Sequence, residues 1–97
     1  MDPGTSALIV SDVVESLAGH DKGKLFYVID VSEAGVSLVN GKDRTLDKPK
    51  LKKLRHVRKV LRAETRVAAR LRAGDKVLNS ELRRDLAAIS QELQSKT

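Results

Sequence analysis

The chain contains no cysteine and no tryptophan, a single methionine, two prolines and only two aromatic residues, Phe26 and Tyr27. Without cysteine there is no disulfide framework, thiolate metal site or cysteine nucleophile, and nothing argues for an oxidising compartment. The apolar run Ala7 to Val10 is too short for a signal core or a membrane span, and an acid, Asp2, stands where a signal peptide needs positive charge. A cytoplasmic protein without a membrane anchor is expected. The two histidines, His20 and His56, lack the converging ligands of a metal site and the nucleophilic setting of a catalytic dyad. No cofactor and no enzymatic role is assigned to any residue. At 97 residues and 10.7 kDa the ceiling is one small domain with an appendage.

Charge is what the sequence has in abundance. A third of the residues are charged, with a net charge of +6 and a pI near 9.9, so polyanions are the natural partners. The distribution is sharper than the total: residues 1–40 hold two basic and six acidic groups, residues 41–72 thirteen and three, and residues 73–97 four and four. Lys48, Lys50, Lys52, Lys53, Arg55, Arg58 and Lys59 therefore come with few acids to neutralise them. Such a run is either a solvated basic face or a surface that meets a phosphate backbone.

From Ala7 to Val39, short apolar runs punctuated by turn residues read as strands of a small sandwich or barrel. The first spans roughly Leu8 to Leu17, the second Leu25 to Val31 and the third Gly35 to Val39. Ala18 to Lys24 is a polar loop in which at least one of Gly19 and Gly23 is expected at positive φ. Asn40-Gly41 is a hairpin cue, followed by a fourth short strand around Arg44-Thr45-Leu46 that Pro49 ends. Beyond Pro49, Leu51, Leu54, Val57, Val60, Leu61, Val67, Ala68 and Leu71 recur at helical spacing, although part of Leu51 to Val57 also fits a last barrel strand. Gly74 is placed to stop that helix, and Asn79 or Ser80 to cap a second one carrying Leu82, Leu86, Ile89 and Leu93. These tail helices could pack on the barrel, on each other or on a partner.

The glycine loop offers backbone N–H groups and two ammonium groups, either as a phosphate cradle or as a plain polar hairpin. It is not a Walker loop: Gly19 to Gly23 is one residue short, and Leu25 stands where a Ser or Thr should hold the metal. Arg55, Arg58 and Arg62 suit bidentate contacts or stacking on exposed bases, and the lysines suit phosphate as point charges. With two aromatics, adjacent on one strand and so facing opposite sides, stacking platforms are missing, and one of the pair is expected in the core with the other open to the surface. Asp43 and Asp47 are expected in weak surface ion pairs.

Two segments carry a resemblance. Asp12 to Val31, with Ser16-Leu17-Ala18-Gly19-His20-Asp21-Lys22-Gly23-Lys24 at its centre, resembles a KOW motif, the strand-loop-strand element of certain ribosomal proteins and transcription-elongation factors. Asn40-Gly41-Lys42 through Lys48-Pro49-Lys50-Leu51-Lys52-Lys53-Leu54-Arg55-His56-Val57 resembles the continuation in small bacterial KOW-domain RNA-binding proteins, themselves similar to archaeal and eukaryotic-type large-subunit ribosomal proteins. Lys76 to Arg83 also looks like family members. An acidic first strand, with Asp12 and Glu15, departs from the family pattern.

The resemblance covers residues 8–58 and implies an SH3-like β-barrel (the KOW domain) over 7–58; with the helical pattern of the tail, the expectation is a mainly β fold with an α tail, residues 1–6 an extension and 59–97 amphipathic helices. It implies binding to structured RNA, ribosomal RNA above all, through phosphates. The candidate RNA-binding residues are Gly19, His20, Lys22, Gly23 and Lys24 in the loop, then Lys48, Lys50, Lys52, Lys53, Arg55, His56, Arg58, Lys59 and Arg62. The rival reading is a protein-interaction module or adaptor in translation or transcription, whose helical tail docks on a ribosomal protein, RNA polymerase or a second copy. DNA compaction fits the charge but not the motif.

Overall fold

The computed structural model describes residues 8–95, so the extension expected over 1–6 lies outside the described residues. Strand β1 is Asp12–Ser16, β2 Leu25–Ser32, β3 Gly35–Val39, β4 Lys50–Lys52 and β5 Val57–Arg62, followed by helices α1, Arg66–Ala73, and α2, Asn79–Ser95. The strands form one antiparallel sheet in the order β4-β3-β2-β1-β5, which does not close on itself. Single 3₁₀ turns occupy Gly19–Asp21 and Leu54–His56. None of the described helices is long and apolar enough to cross a membrane.

The first three strands fall where β-branched and aromatic residues are dense. Their side chains alternate between two faces, and both faces are covered. Val14, Phe26, Val28, Val36 and Leu38 meet Leu8 and Val57 on one side. Val13, Tyr27 and Val39, cross-strand neighbours through Val13↔Tyr27 and Tyr27↔Val39, meet Ala63, Val67, Ala68, Val77, Leu82, Leu86 and Ile89 on the other. The expectation of one core and one surface aromatic is therefore corrected: Phe26 and Tyr27 are both fully buried, because the tail helices roof the second face.

Two elements differ from the pattern read in the sequence. Arg44-Thr45-Leu46 forms no strand beyond a Thr45↔Lys48 bridge, and β4 begins instead just after Pro49. The helical periodicity from Leu51 to Leu61 is in fact β4, a 3₁₀ turn and β5. A bulge explains the false period: Val13 pairs with Leu61 and Val14 with Lys59, leaving Val60 extra, so both Val60 and Leu61 pack on the helix side. Strand β5 thus crosses residue 59, where a helical tail was expected to begin, and helix starts only at Arg66.

Capping follows local chemistry. Thr65 Oγ1 accepts from the Ala68 amide, and Gly74, at φ 76°, ends α1 as anticipated. Neither Asn79 nor Ser80 caps α2. The Glu81 carboxylate accepts the Leu78 amide at 2.9 Å, and Asn79 Oδ1 accepts the Leu46 amide at 2.9 Å, tying the helix start to the loop after β3. In that loop Gly41, at φ 78°, packs so closely that a Cβ would run into the Asn79 carbonyl. Only glycine fits.

A part-buried network centred on Tyr27 helps to fasten the helices. The Tyr27 hydroxyl donates to Asp85 Oδ2 on α2, and Thr65 Oγ1, ahead of α1, donates to the same oxygen at 2.7 Å. Burial, reinforced by the Asp85 hydrogen bond, pushes the Tyr27 hydroxyl well above the ordinary tyrosine range. A raised pKa contributes stability that is complete below the unfolded value of about 10 and lost as pH climbs beyond it. Denaturant titrations should therefore show stability falling above about pH 10 with an accompanying tyrosinate signal, which Tyr27 alone can give. Tyr27→Phe should cost about 1–3 kcal/mol at neutral pH and remove Tyr27's share of the alkaline fall.

Candidate nucleic-acid interface

Thirteen basic residues in 41–72 make a strong field in sequence, and the structure divides them. Strand β5 lies beside the acidic β1 in a register that sets Arg62 opposite Asp12 and Arg58 opposite Glu15. Opposite charges directly across an antiparallel pair attract. Arg62 Nε donates to Asp12 Oδ1 at 3.0 Å, Lys59 Nζ lies 3.7 Å from Asp12 Oδ2, and Arg58 pairs with Glu15 at 2.5 Å. Asp12 is fully buried and also accepts the Ile9 amide at 2.9 Å, so its charge is satisfied from two directions. The Asp12 carboxylate in turn raises the Arg62 pKa.

The glycine loop is held just as firmly. Gly19 and Gly23 both take positive φ, 77° and 88°. The Gly23 amide donates to the Ser16 carbonyl and the Ser16 amide to the Lys24 carbonyl, closing the loop at its base. Asp21, almost fully buried, accepts both Nε and Nη2 of Arg44 at 3.2 and 3.0 Å, pinning the loop to the segment after β3. Lys24 pairs with Asp43 at 2.8 Å, and that hydrogen bond holds the Asp43 carboxyl below its usual range. Asp47 is lowered mainly by the Thr45 hydroxyl rather than by a cation.

Several cations of the expected site are left without such a partner, and two of them share a groove. Lys22, Lys48, Lys50 and Lys53 have no carboxylate partner among the described residues. Lys50 and Lys53 flank an open groove of about 400 Å³ lined by Ala18, Gly19, Lys50, Leu51, Lys52, Lys53 and His56. Its walls are joined by Lys52 Nζ, which donates to the Ala18 carbonyl at 2.6 Å, and by the Leu17 amide, which donates to the His56 carbonyl at 2.8 Å. Five expected site residues, Gly19, Lys50, Lys52, Lys53 and His56, are therefore brought together. Arg55 is exposed beside them, its Nε reaching His56 Nε2 at 3.4 Å, and His20 and Lys22 are exposed on the loop.

The other expected residues lie elsewhere. Gly23 and Lys24 line a second cleft of about 420 Å³ between the loop and α2, with Lys42, Asp43 and Arg83. Sequence reasoning missed Lys42 and Arg83. Lys42 was legible as part of the basic block, whereas Arg83 belongs to the charge-balanced tail and carried no signal. This cleft is mixed in charge, since Asp43 neutralises Lys24 and Arg83 donates to the Gly41 carbonyl, and it offers an anion less than the first groove. Arg58, Lys59 and Arg62 serve β1 rather than the groove.

No protein-family model matches the chain, and no curated protein matches it.

The loop's fixed position depends on the Asp21–Arg44 pair. Arg44→Met leaves a buried carboxylate without its cation and should cost about 1–3 kcal/mol in urea unfolding. Faster hydrogen exchange confined to the glycine loop should accompany it.

Proposed function

We propose that the chain is an RNA-binding module of the KOW type with an SH3-like β-barrel, acting in the cytoplasm on structured RNA, ribosomal RNA above all, and without enzymatic activity. The observation that carries this reading is the pair of lysines without a carboxylate partner among the described residues, Lys50 and Lys53, lining a groove walled by Ala18 and Gly19 of the glycine loop, with Lys22 exposed on that same loop. Ammonium groups with no internal partner suit a phosphate backbone, which supplies affinity without sequence information. The strand order β4-β3-β2-β1-β5, a four-strand meander followed by a fifth strand that returns to pair with the first, supports the SH3-like assignment. The two segments that resemble the KOW family meet in that groove, which favours them acting as one site.

The adaptor reading, docking on a ribosomal protein or RNA polymerase through the helical tail, draws less support. Leu82, Leu86 and Ile89 already pack against the sheet, leaving α2 an outward face of Arg84, Ala88 and Gln91.

Binding of a structured ribosomal RNA fragment, titrated against salt, tests the proposal. With four to six phosphates neutralised, log K against log salt should slope about −3 to −5. Lys50→Ala and Lys53→Ala should each weaken binding and flatten the slope by about 1. Arg58→Ala should leave the slope unchanged, because Arg58 is committed to Glu15. A salt-insensitive complex, or equal affinity for duplex DNA, would remove the phosphate-driven RNA reading.

A further inference from the structure

We propose that the groove between the glycine loop and β4 receives one unstacked nucleotide of the bound RNA, its base against Leu51 and the His56 ring and its flanking phosphates on Lys50 and Lys53. This rests on the RNA reading above and adds to it a preference for RNA with an extruded base over an unbroken duplex.

Leu51 is the starting point. It is 54% exposed, stands between Lys50 and Lys52 on β4, and belongs to neither hydrophobic core. Leucine in the middle of a cationic rim contributes nothing to phosphate binding. Two further exposed leucines adjoin His56 rather than Leu51: Leu54 begins the 3₁₀ turn that ends at His56, and the Leu17 amide donates to the His56 carbonyl. The groove lining therefore sets one exposed apolar side chain, Leu51, among the cations Lys50, Lys52 and Lys53. That combination matches a nucleotide, whose base is a flat, weakly hydrated plate and whose backbone is anionic.

Dimensions and chemistry select the same occupant. A volume of about 400 Å³ lies at the small-ligand end of binding sites, roughly 300–1,000 Å³, enough for one nucleotide rather than a helix. With Phe26 and Tyr27 both buried, no aromatic side chain is free to stack, and the His56 imidazole is the one flat ring lining the groove. Histidine is among the side chains on which unpaired RNA bases stack. The groove is also preformed, since Lys52 Nζ on the Ala18 carbonyl and the His56 amide on the Lys53 carbonyl at 2.9 Å fix its walls. Rigid walls avoid an ordering cost on binding.

Three stem-loop RNAs test this at one salt concentration: one with a single bulged adenosine, the same stem with an abasic bulge, and the same stem fully paired. The wild-type protein should prefer the bulged adenosine over both others by about fivefold to tenfold. The abasic bulge separates base recognition from mere duplex flexibility. Leu51→Ser should bring the three affinities together while leaving the salt slope and the thermal unfolding midpoint in place, as expected of an exposed position. Lys53→Ala should weaken all three equally. Equal wild-type affinity for the three RNAs, with a steep salt slope retained, would overturn the groove assignment and leave the RNA reading standing. A bulge preference that survives Leu51→Ser unchanged would overturn it as well. Failure to bind any of the three would instead count against the RNA reading beneath it.

Discussion

The hydroxyl of Tyr27 is the point on which the two layers of the molecule meet. It is a polar atom at the centre of an otherwise apolar interface, and burial without a partner would cost several kcal/mol, of order 2–7. Asp85 from α2 and Thr65 from the segment ahead of α1 supply the partners, so this hydroxyl is satisfied only when the helices are in place on the sheet. A carboxylate placed there without donors would be worse, which makes the arrangement reciprocal: the helix needs the tyrosine as much as the tyrosine needs the helix. Three residues from distant parts of the chain thereby specify where the tail lies.

That constraint also explains what sequence patterns could and could not show. The strands β1, β2 and β3 were legible because each is a compact apolar run between glycines or polar turns, and Gly74 was legible as a helix stop. The tail's apolar stripe was visible too, but its partner was not, since amphipathicity names a buried face without naming what covers it. The fate of the aromatics was hidden for a related reason. Adjacent residues on a strand face opposite ways, and both can be core only when the sheet is roofed twice. Strand β5 was misread because its bulge at Val60 turns two successive residues to one side, and a doubled position in a period of two imitates a period near four.

The candidate site was half legible, and the division is electrostatic. Linear counting located the basic block but treated every cation as available. Availability is decided by strand pairing: the acidic β1 lies against β5 and absorbs Arg58, Lys59 and Arg62, while Asp43 absorbs Lys24. The acids of β1 are thus the reason the usable charge shifts from β5 to β4 and the turn that follows it. An unsatisfied Asp12 or Asp21 would be costly at its depth, so those cations are bound to the fold before any ligand arrives.

With both faces of the sheet spent on packing, the sheet itself offers a ligand only its rim, where loops and edge strands lie. Strand β4 is such an edge, and lysines on an edge strand have an ordinary purpose, since they discourage pairing with another chain. Lys50 and Lys52 alone could be explained in that way. Leu51 cannot, because an exposed leucine between them works against that protection and finds no core to enter. Nor does Lys52 behave as a guard, for its ammonium is turned back onto the Ala18 carbonyl and shapes the groove wall. A strand that spends one lysine on building a groove wall and leaves a leucine open beside it is not accounted for by edge protection, and the proposed nucleotide site rests on that difference.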